Sequence, residues 1–240
     1  MKEKVIGILG GMGPEATADL FFRIIRETPA KKDQEHLRII VDNNPKIPDR
    51  TAAILGRGPS PMPEIIKTAK NLEKAGADFI AMPCITAHHY YEEIKKSVKI
   101  PILNMVELTA QTISENFPKA KKAGLLGTTG TVKSKMFDKS LNKFNIKMIY
   151  PSENFQKMVM EAIYDYIKAG KIIEGKKIVV NVAKHLIDLG ADVIICGCTE
   201  TSLVLKNGDL TKPVVDPMQI LAQTAVKVAL GKMPIPKDQD

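Results

Sequence analysis

Short apolar runs closed by glycine or proline alternate along this chain with stretches whose apolar residues recur every three or four positions. The first pattern is that of buried strands, the second that of helices with one face turned to a core. Val5 to Leu9 is such a run, stopped by Gly10 and Gly11; Pro14 then opens a helix over Glu15 to Glu27 with Ala16, Leu20, Phe21 and Ile24 on one face. Leu37 to Val41 predicts a second strand, Glu64 to Lys74 a helix, and Phe79 to Met82 a third strand. Ala87 to Lys96 predicts a helix that Thr86 can cap, Ile102 to Asn104 a short strand, and Val106 to Asn116 a helix. The plan then repeats, with strands at Ala123 to Leu126, Ile146 to Tyr150, Val193 to Cys196 and Val214 to Val215. Helices are predicted at Lys133 to Lys143, Phe155 to Ala169, Ile178 to Leu189 and Pro217 to Leu230, the middle two separated by Gly170, Gly175 and their lysines. Strand and helix in alternation argue for right-handed crossovers and parallel sheets.

The repetition extends to residue identity. Gly190-Ala-Asp-Val-Ile-Ile-Cys-Gly-Cys198 copies Gly76-Ala-Asp-Phe-Ile-Ala-Met-Pro-Cys84, with Gly, Ala, Asp, Ile and Cys at one offset, 198 − 84 = 114 residues. Lys4-Val-Ile-Gly7 and the glycines after it are echoed by Lys122-Ala-Gly124 and its own glycines, near 124 − 7 = 117. The expected fold class is therefore α/β: two similar domains with parallel sheets flanked by helices, related by a pseudo-two-fold axis, with the active site in the cleft between them. The first domain is expected to take residues 1–101 and 214–240 and the second 102–213, with Pro101 and Pro213 at the crossings.

Each half delivers one thiol, Cys84 or Cys198, to the carboxyl end of a parallel strand just before a helix, the rim that meets ligands in such sheets. A helix N-terminus favours thiolate and should lower the thiol pKa from about 8.5. Two thiols on opposite faces of one carbon suit removal of a proton from one face and delivery to the other, which inverts a stereocentre. Cys196 reads as a packing residue, since no nearby His or Cys completes a four-ligand metal site. Arg50, in the proline-rich loop after the second strand, offers a guanidinium fork that matches a carboxylate in two places. Thr86, Thr128, Thr129 and Thr131 stand at helix starts, either as caps or as hydroxyl and N–H donors to a carboxylate.

Composition narrows the partners. The 240 residues are 44% hydrophobic and 26% charged, an ordinary globular balance. The excess of 35 basic over 27 acidic residues is spread through the chain, unlike the clustered basic face of a nucleic-acid-binding protein, so nucleic acid is not expected; the excess suits a small anionic substrate without demanding one. No stretch approaches the roughly 20 apolar residues of a membrane span, and the run before Gly10 is too brief for a signal peptide. With three cysteines and no disulfide framework, the expected location is cytoplasmic, with reduced thiols.

Five ordered motifs carry a family resemblance: Gly10-Gly-Met-Gly-Pro-Glu-Ala-Thr17, Pro48-Asp-Arg-Thr51, Met82-Pro-Cys-Ile-Thr-Ala-His88, Gly127-Thr-Thr-Gly-Thr131 and Gly197-Cys-Thr-Glu200. Across residues 4 to 230 the chain resembles the aspartate/glutamate racemase family, most closely its aspartate racemases. The resemblance implies a cofactor-independent amino-acid racemase with two similar α/β domains, no metal, and a homodimeric assembly. It implies Cys198 as the base for the L-isomer and Cys84 as the base for the D-isomer, with Arg50 on a substrate carboxylate and Lys168 on the distal one. Glu200 stands where glutamate racemases carry a histidine, and His88 follows Cys84 at helical distance; either could tune a thiol.

One position departs from the family. Ile85 stands where an Asn that helps to hold the substrate is usual, and it can neither donate nor accept through its side chain. That opens the site to a more apolar amino acid than aspartate. Two other readings stay open at this point: a one-cysteine decarboxylase or isomerase of the same superfamily, and an amino-acid or dicarboxylate-binding module without turnover.

Overall fold

Ile6, Ile8 and Leu9 are fully buried because β1 (Ile6–Gly10) runs inside a sheet, flanked on both edges. The computed structural model describes residues 3–236 of the chain. Parallel pairing joins β1 to β2 (Ile39–Asn43) on one side and β3 (Phe79–Ala81) on the other, and β4 (Ile102–Leu103) extends β3, giving the order β2-β1-β3-β4. Helices α1 (Pro14–Glu27) and α3 (Met62–Lys74) pack on β1, each through one apolar face, while α2 (Arg50–Ile54) and α4 (Tyr91–Ser97) are short. Leu9, Ile65, Leu72, Ile80, Met82 and Ile94 make the core of this unit.

The second unit repeats this order one set of strands later. Parallel strands β5 (Lys122–Leu125), β6 (Lys147–Ile149), β7 (Val193–Ile195) and β8 (Val214–Val215) lie as β6-β5-β7-β8. Its core gathers Leu126, Ile163, Ile167, Val179, Leu186 and Ile194. The repeated residues do repeated work. Asp78 accepts the Val5 N–H and returns its own N–H to the Val5 carbonyl; Asp192 does both with Lys122. A side chain on Gly7 would meet Ala77 and Leu72, and one on Gly124 would meet Ala191 and Leu186, so helix and strand approach more closely than any larger residue allows. Gly76 and Gly190, with φ of 92° and 94°, end the helix before each third strand in a left-handed turn.

The units comprise Met1–Met105 with Met218–Asp240, and Val106–Pro217. The crossings therefore fall a few residues beyond Pro101 and Pro213. The reason lies in the ladders: the Pro101 carbonyl accepts the Ile80 N–H and the Pro213 carbonyl the Ile194 N–H, so each proline opens a strand that still belongs to the sheet just completed. The chain passes over at the starts of α5 (Met105–Asn116) and α11 (Pro217–Ala229).

Three helices of the second unit differ from their predicted extents. The helix expected over Lys133 to Lys143 is two, α6 (Thr129–Ser134) and α7 (Met136–Asn142), broken at Lys135 in a left-handed conformation with φ of 54°. The helix expected from Phe155 begins as α8 (Glu153–Glu161) and widens into a π-helical turn over Ala162–Ile167, a feature concentrated at functional sites. After the break at Gly170, α9 (Ile172–Asp188) starts before Gly175 and runs through it. Gly175 is no breaker: the place its Cβ would take lies 2.5 Å from Cγ1 of Ile167, so its missing side chain seats the π-helical turn.

Candidate active site

In the first unit the carboxyl ends of the strands carry Cys84, Ile85, Thr86 and Arg50. Cys84 lies just past β3 in a tight turn in which its N–H reaches the Met82 carbonyl at 2.9 Å. The next residues wind into a 3-10 helix, Thr86–Tyr90, and the α-helix begins only at Tyr91. Thr86 is thus not the cap of a long helix. Ile85 stands in the capping position, without a side-chain bond, and is 1% exposed. Arg50 is not in a loop but opens α2, which Asp49 caps by accepting the Ala52 N–H at 2.6 Å. Its guanidinium donates to the carbonyls of Ile47 (3.3 Å), Pro48 (3.0 Å) and Met12 (3.1 Å), so a half-buried positive charge is fixed in direction by backbone from the loops after β1 and β2.

His88, also buried, bonds to the backbone of Cys84. Its Nδ1 lies 2.8 Å from the Cys84 carbonyl oxygen, and its Nε2 accepts the Met105 N–H at 3.1 Å. Burial lowers its pKa to about 4, which keeps the imidazole neutral.

In the second unit Cys198 takes the capping position of α10 (Thr199–Val204), and three groups form a bonded series. The Cys198 thiol donates to Oε2 of Glu200 at 2.7 Å, and Oε1 of the same carboxylate pairs with Nζ of Lys168 at 2.9 Å. Lys168 reaches this place from the end of the π-helical turn, with Tyr164 of that turn presenting its ring 5.4 Å from the ammonium. Burial pushes the Cys198 thiol well up, and the Glu200 carboxylate adds to the rise. The six-residue α10 is too short for its dipole to reverse this, so the lowering expected at a helix start is not found here. For Glu200 burial alone would raise the carboxyl, but the Lys168 ammonium and the thiol hydrogen bond outweigh it and hold the group below its ordinary range.

The threonines of the β5–α6 turn serve first as a cap. Thr128 Oγ1 accepts the Thr131 N–H at 3.2 Å and lies 3.2 Å from the Thr131 hydroxyl, while the Thr129 N–H points to the Met160 sulfur at 3.2 Å. Cys196 is fully buried, its thiol pushed up by burial, in keeping with packing. Among the described residues no group of three or more His, Cys, Asp or Glu is placed to hold a metal ion, and no helix is long and apolar enough to cross a membrane.

Residues 9–225 match the model of the Asp/Glu/hydantoin racemase family. The chain belongs to that family. It is 34% identical to the broad specificity amino-acid racemase RacX of Bacillus subtilis (strain 168), over 95% of this chain and 99% of that one. The aspartate racemase of Picrophilus torridus superposes with a TM-score of 0.84 at 33% identity, covering 94% of each chain. An aspartate racemase homologue from Pyrococcus horikoshii OT3 gives 0.75 at 25% identity, over 95% and 99%.

This racemase, an isomerase by family, brings together Cys198, Glu200 and Lys168 in one unit and places Cys84, Ile85, Thr86 and Arg50 at the corresponding strand ends of the other. The sequence reads Lys168 as a contact to the distal carboxylate and Glu200 as a group that could tune a thiol. It did not foresee their ion pair, since nothing local signals a contact across 200 − 168 = 32 residues. Tyr164 was passed over; its position one helical turn before Lys168 was the available signal.

Proposed function

We propose that this racemase interconverts the L- and D-isomers of amino acids by two-base proton transfer, with Cys84 and Cys198 as the bases. The observation that carries the reading is the series from the Cys198 thiol through Glu200 to Lys168, because it supplies an acceptor for the thiol proton. With an L-isomer bound, the proton on Sγ of Cys198 passes to Oε2 of Glu200 and the thiolate takes the α-proton. The carbanion then receives a proton from the Cys84 thiol on its other face, and the cycle closes as the Glu200 proton returns to Cys84 through solvent. A D-isomer runs the path in reverse. Arg50, aimed by three carbonyls, binds the substrate carboxylate and opposes the charge that develops at the α-carbon.

Aspartate is the first substrate, and the range is wider than dicarboxylic amino acids. Lys168 already shares its charge with Glu200, which weakens its hold on a second carboxylate, and Ile85 offers no polar group. The broad specificity attributed to RacX supports this width. The proposed working unit is a cytoplasmic homodimer, in line with the family resemblance.

The test is incubation with L-aspartate and a panel of neutral and basic L-amino acids in D2O, without added cofactor, following optical activity and α-deuterium. Racemisation lost in both Cys84→Ala and Cys198→Ala is the expected result. Binding without exchange across the panel would replace the enzyme with a binding module.

A further inference from the structure

Each of the two cysteines bears, besides its thiol, a backbone carbonyl held by a buried side chain a few residues on. In the first unit His88 does this, four residues past Cys84, with the bond of 2.8 Å described above. A carbonyl only accepts and an amide N–H only donates; the Met105 N–H on Nε2 therefore leaves the ring proton on Nδ1, directed at Cys84. The ring is further fixed by stacking on Tyr91, centroids 6.1 Å apart and planes within 4°, and the Tyr91 hydroxyl donates to the Ile102 carbonyl at 3.0 Å. In the second unit Thr201, fully buried and three residues past Cys198, directs its hydroxyl at the Cys198 carbonyl at 2.7 Å, with the Leu126 carbonyl a longer second acceptor at 3.2 Å, and the same Cys198 carbonyl also takes the Thr201 N–H at 3.0 Å and the Ser202 N–H at 3.3 Å.

The contact is shared and the residue is not. At the repeat offset of 114, Thr201 corresponds to Ala87 and His88 to Ser202, so the two bonds are not copies of one ancestral pair. What the two halves have in common is a pinned cysteine carbonyl. That carbonyl reports the cysteine's own ψ, and one further torsion separates the backbone from Sγ, so a small backbone turn there displaces the sulfur directly.

We propose that His88 and Thr201 are positioning residues, each fixing the backbone of its cysteine so that Sγ keeps its direction at the strand end, and neither touching the reacting atoms. This rests on the reading of Cys84 and Cys198 as the proton-transfer groups. A displacement of about 1 Å at a reacting atom costs up to about 100-fold in rate, so the effect falls on kcat with KM nearly unchanged.

The experiment pairs His88→Leu with Thr201→Val in the full chain, with His88→Asn and Thr201→Ser as the variants that restore a donor. Iodoacetamide alkylation of Cys84 and Cys198 is followed separately by mass spectrometry, alongside racemisation. His88→Leu is expected to change the Cys84 rate and not the Cys198 rate, Thr201→Val the converse; kcat falls by about 10- to 100-fold in each, and the donor variants recover most of it. The proposal is overturned if either substitution leaves its own cysteine's rate unchanged, or if it moves both cysteines alike. Should His88→Leu not fold, the Thr201 pair alone decides, because Val is isosteric with Thr. Alkylation needs no turnover, so a wild-type chain inactive on every amino acid would sink the racemase reading and leave this test intact.

Discussion

Glu200 receives the thiol hydrogen of Cys198 at 2.7 Å, so the carboxylate that raises the thiol is also the group placed to accept its proton. Glu200→Gln keeps the shape and removes the charge. Racemisation starting from the L-isomer should fall by about 100-fold or more in kcat, as expected for loss of a general base, while alkylation of Cys198 at pH 8 becomes faster because a neighbouring negative charge has gone. The two opposite movements separate this role from a substrate contact. Loss of a mere contact would raise KM and leave kcat in place.

Lys168→Met tests the other end of the series. The Lys168 side chain is 34% exposed, so solvent screens the pair, and the expected loss at pH 7 is about 1–2 kcal/mol rather than the larger cost of breaking a fully buried one. Its pH dependence has a definite sign. With Lys168 present the Glu200 carboxyl lies below its ordinary range, so its stabilisation is complete at neutral pH and is lost as the pH falls through that range. Without Lys168, burial raises the carboxyl and protonation favours the folded form. The deficit of the variant, read from urea midpoints, should therefore shrink between pH 7 and pH 4; a deficit that is constant with pH would dissociate Glu200 from Lys168.

The strands and their repeat were legible because identity and role coincide: Asp78 and Asp192, or Gly7 and Gly124, do the same job at the same place in each unit. The placement of Cys84 and Cys198 just past a third strand in each unit was legible for the same reason. Harder to read were features set by contacts between distant residues. Gly175 looks like a helix breaker until Ile167 is found against it, and Lys168 like a surface charge until Glu200 is found beneath it. The rise of the Cys198 thiol follows likewise from burial and from a carboxylate two residues on. A rule about helix dipoles, which sees neither the burial nor the carboxylate, gives the wrong direction.

His88 supplies a second acid-sensitive element with a value attached. Its pKa is lowered by burial from 6.5 to about 4, so the unfolded chain binds the extra proton first and stability falls as the pH drops through that window. The full effect is roughly 3 kcal/mol, since each pKa unit is about 1.4 kcal/mol. The loss of stability between pH 6.5 and pH 4 should be smaller in His88→Asn than in the wild type; equal slopes would place the acid sensitivity elsewhere.

Gly175→Ala is a conservative change by helix propensity, worth about 1 kcal/mol in favour of Ala, yet it should destabilise. The added methyl has Ile167 at 2.5 Å, and overpacking of this kind costs about 1–3 kcal/mol. The strain falls on the π-helical turn that carries Lys168. Hydrogen exchange should quicken over residues 162–168 while the strands of the same unit stay protected; uniform quickening would mean that the turn has no separate dependence on Gly175.

Ile85→Asn bears on which amino acids are turned over. At 1% exposure Ile85 fills apolar space beside Cys84, so an amide there costs about 1–3 kcal/mol unless it finds hydrogen-bond partners. A bound dicarboxylic substrate is one such partner, and a site with a buried amide discriminates against substrates that leave it unpaired. The variant should therefore lose thermal stability when empty, regain part of it with aspartate, and shift the ratio of kcat/KM for aspartate over a neutral amino acid upward by about tenfold. An unchanged ratio, with the stability loss still present, would show that residue 85 shapes the core of its unit and not the choice of substrate.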